Sequence, residues 1–395
     1  MTAPGDNSRR RAPLARQLGL ASVSLVVSLA LAELAVRALG LGEPAFRQPD
    51  AVLGWAPVPG AHGRWRREGD ADVLITAHGF RGVAVAPGAP RADALRVALV
   101  GDSYIEARQV ALEASIGGRL GPDLEACAAG PVEVLSFGVS GFGTAQEYLL
   151  YRARVAAYAP HLVVLAFLGG NDVADNHPAL QSADTARPYF SVDRDDTLVL
   201  DASFRESESF RARSEVSTLS SILRSSRLFR ALDAVGGHGN GAVRGEIGLS
   251  DEVYAPPASD AWRDAWARPE AILRHYAHDV RADGARFAVV ALSSATQVDP
   301  DPEVRERFRV AVHAESLDYP EQRIAEAGAR DGYPVLALPP ILRAWAEAND
   351  THLHGFENTA LGTGHWNERG HEIASRELAR WLCERGLAAR PDRER

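Results

Sequence analysis

The sequence predicts an α/β chain whose centre is a flavodoxin-like, doubly wound parallel sheet of five strands. A β-rich lead-in and one transmembrane helix precede it. Three observations carry this. Short apolar runs alternate with helix-length amphipathic stretches from about residue 94 onward. The first three runs end in loops rich in Gly, Ser or Asn, and a His-bearing loop precedes the last helix. Residues 18–36 are almost wholly apolar and follow an arginine-rich start.

Residues 1–16 form a polar tail with Arg9, Arg10, Arg11 and Arg16. The segment 17–37 reads as a signal anchor, its apolar stretch from Leu18 to Val36 interrupted by Glu33 near the far end. A largely apolar stretch of about 19 residues at 1.5 Å each nearly matches a hydrocarbon core of about 30 Å. Arginines ahead of the segment and a long domain after it place the tail in the cytoplasm and the bulk of the chain outside. Ala30-Leu31-Ala32 also fits a small-x-small cleavage site, so a secreted, processed form is the alternative. A buried core helix is a third reading, against which the three consecutive arginines argue.

Residues 38–93, the lead-in, hold strand-like runs such as Val73 to Thr76 among many Gly and Pro. The domain at 94–388 then begins. Leu95 to Val100 has the form of a buried parallel strand, and a helix-like stretch follows to about Ala126. Val132 to Leu135 gives a second strand and His161 to Leu168 a third, with a helix over Tyr148 to Tyr158 between them. A helix from about Ala261 to Arg281 leads into a fourth strand at Phe287 to Leu292. Val335 to Leu338 is the fifth, and a last helix runs from about Glu368 to Arg385 with Asn367 as its N-cap. Residues 173–260 interrupt the rhythm as an insertion. It contains a hairpin (Tyr189 to Val192 with Thr197 to Leu200), a helix near Ser217 to Leu232 and a Gly-rich stretch at 236–241. Residues 389–395 are a polar tail.

Alternating strands and helices imply a parallel sheet covered on both faces, with ligands at the carboxyl ends of the strands. The first and last helices then lie on one face and run away from that edge. Cys127 and Cys383, at their far ends, become neighbours. A disulfide is expected in an oxidising compartment, with two buried free thiols as the alternative.

Composition excludes several classes. Hydrophobic residues make up 46% and charged residues 24%, which rules out a wholly disordered chain. The net charge of −9, with no basic stripe beyond the N-terminus, argues against a nucleic-acid partner. Two Cys exclude a Cys-rich metal site. His352, His354, His365 and His371 match no standard zinc spacing, so no metal or other cofactor is expected.

Four loops carry chemistry. Gly101-Asp102-Ser103-Tyr104 follows the first strand, and a tight strand-to-helix turn exposes the serine hydroxyl. A helix starting there favours developing negative charge. Ser136 to Gly143 follows the second strand, and its glycines let backbone N–H groups approach a reacting oxygen. Gly169-Gly170-Asn171-Asp172 follows the third and offers an amide donor. Thr363 to His371, ahead of the last helix, supplies His365. Each alone is also an ordinary turn; their order and placement make the set.

The set resembles the GDSL/SGNH esterase and acyltransferase superfamily, whose four blocks centre on Ser, Gly, Asn and His. The match spans about 94–172 and 262–388. Glu33 to Arg37, Leu53-Gly54-Trp55 and Gly79-Phe80-Arg81 are further similar to a membrane-anchored branch. The resemblance implies that Ser103 is the nucleophile and His365 the general base. It also implies an oxyanion hole formed by the backbone N–H of Ser103, the backbone N–H of Gly141 and the amide of Asn171. Two departures matter. Ser136 stands where the family carries Asn. Gly362 and Thr363 stand where it carries the triad Asp, and neither can be an anion. Thr363 or a backbone carbonyl then orients His365, or an acid elsewhere does so, with Glu357 and Asp350 the nearest upstream, or the site is impaired.

The expected activity is extracytoplasmic hydrolysis of a carboxylic ester, an O-acetyl group on a glycan or other alcohol. The alternatives are an O-acyltransferase using the same residues, an envelope binding protein that kept the fold, and a flavin-binding flavodoxin-like protein. Asp102 and Asp172 read as loop braces. Trp262, Trp266 and Trp381 read as core, while Trp55, Trp65 and Trp366 are candidates to stack on a sugar.

Overall fold

The structure, a computed structural model, describes residues 14–39, 44–91, 93–128, 130–181, 185–214, 226–229 and 249–389. The chain divides into two units, residues 1–44 with 217–240 and residues 45–216 with 241–395.

The first unit centres on the helix Leu14–Ala38. Its Arg16–Ala38 stretch has a mean hydropathy of 2.0 and is long and apolar enough to span a membrane or act as a signal anchor. Leu20, Val26 and Leu31 on it are exposed. The one acid near its end is partnered. Glu33 accepts from Arg37, from the Ser226 hydroxyl and from the backbone N–H groups of Arg227 and Leu228. Apart from residues 226–229, the expected helix at 217–232 and the Gly-rich stretch at 236–241 lie outside the described residues.

The second unit opens with two hairpins. β1 (Arg47–Asp50) pairs antiparallel with β2 (Gly54–Pro57), and β3 (His62–Trp65) pairs antiparallel with β4 (Ala71–Leu74). Five parallel strands follow: β5 (Leu95–Gly101), β6 (Val132–Gly138), β7 (Leu162–Phe167), β10 (Arg286–Ala291) and β11 (Val335–Ala337). Between β7 and β10 the hairpin β8 (Tyr189–Val192) and β9 (Leu198–Asp201) stands apart from the sheet. The spatial order is β6-β5-β7-β10-β11. In strand sequence this is 2-1-3-4-5, the flavodoxin-like doubly wound order, whose switch point lies between the first and third strands.

Both sheet faces are buried, which is why the strands read as unbroken apolar runs. Ala98, Val100, Val163 and Leu165 face a core with Trp266, Ile272 and Tyr276 from the helix Asp260–Ala282. Leu95, Val97, Leu99, Leu162 and Val164 face the opposite core, with Leu120 and Leu124 from helix Ile116–Glu125 and Ala374, Leu378 and Leu382 from helix Glu368–Glu384. Asn367 caps the latter helix by accepting from the N–H groups of Arg369 and Gly370. Trp266 and Trp381 are buried.

Three features differ from the sequence reading. The stretch after β5 is not one helix. It is a single turn, Ser103–Glu106, stopped by Ala107 in the left-handed region at φ +48°, and a separate helix starts at Ile116. The helix after β6 begins at Thr144 and continues through a π turn at Tyr151–Val155. Three helices, Pro302–Ala311, Tyr319–Asp331 and Pro339–Asn349, occupy ground the pattern left unassigned.

Cys127 and Cys383 are disulfide-bonded, with Cα atoms 5.8 Å apart. The bond ties the ends of the first and last sheet-covering helices, which Ser375 also links by donating to Asp123. Closing a loop across 256 residues restricts the unfolded chain by about 5 kcal/mol in the chain-entropy account. Reduction is therefore expected to lower the melting temperature of the sheet-bearing unit by on the order of 10 °C. Calorimetry with and without reductant checks this, and an unchanged transition would count against it.

Candidate active site

Parallel pairing aligns Gly101 with Gly138 at the carboxyl ends of β5 and β6, so the loops that follow lie side by side. A Cβ on Gly138 would collide with the backbone of Glu106, so only glycine lets the second loop press against the Ser103 turn. Glu106 joins the loops chemically. It is buried, pairs with Arg108 at 2.6 Å, and accepts from the backbone N–H and the hydroxyl of Ser140. Ser136 donates to the carbonyl of Ile105, bracing the same turn.

Ser103 is partly exposed. Its Oγ lies 2.8 Å from His365 Nε2. The backbone N–H groups of Ser103 and Gly141 have no partner among the described residues. Gly141 adopts φ +77°, and its carbonyl is held by Arg187 at 3.1 Å, which fixes the peptide orientation. The Asn171 amide donates one hydrogen to Asp102 at 2.8 Å and keeps a second. The helix behind Ser103 is one turn only, so the expected helix-terminus contribution falls away and these N–H groups remain.

Asp102 accepts from the backbone of Tyr104 and from Asn171. Asp172 accepts from Leu168 N–H and from Thr144. Burial raises the pKa of both, against the hydrogen bonds that lower it, and both carboxyls sit on loop atoms as braces.

The His365 side chain is held from two sides. Nδ1 is 2.5 Å from Glu68 Oε2, and the backbone N–H of His365 donates to Glu68 Oε1 at 2.6 Å. Burial raises the Glu68 pKa, but the hydrogen bonds and charge of His365 outweigh it and hold the carboxyl below its usual value of 4.5. An anionic carboxylate only accepts, so the hydrogen of the neutral ring sits on Nδ1. Nε2 is left as an acceptor for the Ser103 hydroxyl.

This corrects the expectation for the histidine's partner. Thr363 turns its hydroxyl to the Ala360 carbonyl at 2.7 Å. Glu357 is exposed, and Asp350 ends the helix Pro339–Asn349 in an exposed left-handed turn. None of the three holds the ring. Glu68 comes instead from the tip of the β3–β4 hairpin, 297 residues upstream. The tip is pinned to the loop before His365: Gly69 N–H donates to Asn358, and the Asn358 amide donates to the Arg66 and Gly69 carbonyls. Gly364, at φ +70°, is needed at the junction, because a Cβ there would collide with Glu68 Oε1.

The other histidines are supports. His354 is buried and hydrogen-bonds the Gly364 carbonyl at 2.7 Å and the Ser293 hydroxyl at 3.0 Å. Trp366, fully buried, donates to the same hydroxyl and so is no sugar platform. His371 accepts from the Ile116 N–H. Burial pulls His354 and His371 down to about 3, so both are neutral struts. Among the described residues, no group of three or more His, Cys, Asp or Glu is placed to hold a metal ion.

No protein-family model matches the chain. No curated protein matches it. Solved structures of similar fold include an acetyl xylan esterase, 12% identical, at a TM-score of 0.36, covering 74% of this chain and 99% of its own. A lipase/acylhydrolase from Enterococcus faecalis is 13% identical at a TM-score of 0.36, covering 74% and 96%. A catalytic mutant of an acetylxylan esterase from Geobacillus stearothermophilus is 13% identical at a TM-score of 0.37, covering 75% and 97%.

Proposed function

We propose that the chain is a serine esterase, anchored by its N-terminal helix, that hydrolyses carboxylic esters on the extracytoplasmic side. The observation that carries the reading is the continuous hydrogen-bonded line from Glu68 through His365 to Ser103, with the N–H groups of Ser103 and Gly141 left without a partner among the described residues.

Ser103 Oγ attacks the ester carbonyl carbon while His365 Nε2 takes its proton. The carbonyl oxygen becomes an oxyanion, met by the N–H groups of Ser103 and Gly141 and the second hydrogen of Asn171. Glu68 stabilises the imidazolium formed in this step. The imidazolium then protonates the leaving alcohol, and an acyl-serine remains. Water, deprotonated by His365, releases the acid and restores Ser103.

An O-acetyl group on a glycan is the proposed natural bond, supported by the four-block resemblance. Arginines ahead of the apolar helix support an external active site, as does the disulfide, since disulfides persist in oxidising compartments.

The full chain in detergent is expected to release p-nitrophenol from p-nitrophenyl acetate. It is also expected to take up a fluorophosphonate probe on the peptide that contains residue 103. Absence of both turnover and labelling would remove the esterase reading.

A further inference from the structure

Arg47 sits at the oxyanion loop with no ion pair or hydrogen bond to its side chain among the described residues. Its neighbours are all engaged. Arg108 pairs with Glu106, Arg187 pairs with Asp175 and holds the Gly141 carbonyl, and Arg81 donates to the carbonyls of Glu106, Ala107 and Val110. Arg47 is exposed as a residue, but its guanidinium end is desolvated against the loop, and this, with the nearby Arg108 and against the pull of Glu106, lowers its pKa to about 10, so it stays charged at neutral pH.

The hairpin explains its position. Arg47 pairs with Pro57 and Pro49 with Trp55, so Arg47 and Trp55 are diagonal neighbours on one face of β1–β2. The Arg47 guanidinium lies 5.6 Å from the Trp55 ring centre. Trp55 donates to the Ser140 carbonyl at 3.3 Å and packs edge-on against Phe142. This face closes on the loop. A Cβ placed on Gly141 would be 3.5 Å from an Arg47 guanidinium nitrogen and 3.6 Å from the Trp55 ring. A half-exposed indole and an unpaired guanidinium thus border the residue whose N–H faces the reacting oxygen.

A planar guanidinium with no acidic partner of its own, steadied between Trp55 and the Gly141 loop, fits an oxyanion carried on the alcohol part of the ester. We propose that Arg47 is a specificity residue for esters whose alcohol part carries an anionic group, its carboxylate or phosphate taken by the guanidinium at the rim of the oxyanion loop. This deepens the esterase reading and rests on it.

The test uses the full chain in detergent and three randomly O-acetylated probes: an oligouronide, the same oligosaccharide with its carboxylates converted to amides, and a hexose phosphate. The readout is the ratio of kcat/KM for charged over amide probe, from acetate release. A hydrogen bond to a charged group corresponds to about a tenfold to hundredfold preference. The wild type is expected to show that ratio, Arg47→Gln to bring it near one, and Arg47→Lys to keep part of it. High salt is expected to reduce it in part, because the pair forms at the rim of the site. Which charged probe carries the Arg47-dependent preference identifies carboxylate or phosphate as the source. A wild-type ratio near one, or a ratio unchanged in Arg47→Gln, overturns the proposal while leaving the esterase intact. Failure to release acetate from any probe, together with no turnover of p-nitrophenyl acetate, removes the esterase reading and this inference with it.

Discussion

Replacing Ser103 by alanine is expected to lower turnover of p-nitrophenyl acetate by a factor on the order of 10⁴ to 10⁶. The variant lacks the hydroxyl that His365 is placed to activate, and the imidazole loses its proton donor. What remains is the oxyanion site and water, which by themselves sustain only a small acceleration. The fold should not suffer. The hydroxyl's one described partner is His365 Nε2, and the turn is held by Asp102, Glu106 and Gly138 rather than by the hydroxyl. An unchanged melting temperature with lost turnover is therefore the expected pair of results. Retained turnover would mean that another residue is the nucleophile. The fluorophosphonate label should vanish in parallel, because it reports the same oxygen.

The parts of this site that could be read from the sequence are those that sit at strand ends. Ser103, Gly141 and Asn171 each follow an apolar run of parallel-strand form, and His365 precedes a capped amphipathic helix. Local pattern plus the doubly wound topology brings them to one edge. The unassigned helices show the limit of that pattern. Pro302–Ala311 buries none of its residues fully, and its short stripe of Val304 and Phe308 among charged residues is a weak signal. Pro339–Asn349 opens on two prolines, which read as a breaker although the first turn tolerates them. Glu68 lay beyond both kinds of signal. Arg66-Arg67-Glu68-Gly69-Asp70 has the composition of a solvated turn, and its partner is 297 residues away. The readable trace was negative: no anion stands at Gly362 or Thr363, so a working site needed an acid from elsewhere. Nothing local in the sequence says that a hairpin of the lead-in delivers it.

Glu68→Gln is expected to lower kcat by about 10³ to 10⁴, with a much smaller change in KM. The glutamine keeps the size of the side chain but not its charge. It cannot compensate the imidazolium that forms as Ser103 attacks, and its amide can turn a donor toward Nδ1 and so favour the wrong tautomer. Glu357→Gln is expected to leave the rate unchanged, because Glu357 is exposed and Nδ1 of the ring is taken by Glu68. A fall in that variant, with none in Glu68→Gln, would return the role to the upstream acid. Two further readouts separate a catalytic partner from a mere anchor of the hairpin. Combining Glu68→Gln with His365→Ala should cost no more turnover than His365→Ala alone, since Glu68 acts only through the ring. The pH dependence of stability carries its own sign. A carboxyl held below 4.5 in the folded state adds stability above that pH and loses it as pH falls through the lowered value. Glu68→Gln should therefore destabilise the sheet-bearing unit near neutral pH and flatten the acid side of its stability curve. A rate loss without that flattening would mean that the carboxylate is not held by His365 in the folded protein, and the hydrogen-bonded line on which the esterase reading rests would be broken at its first link.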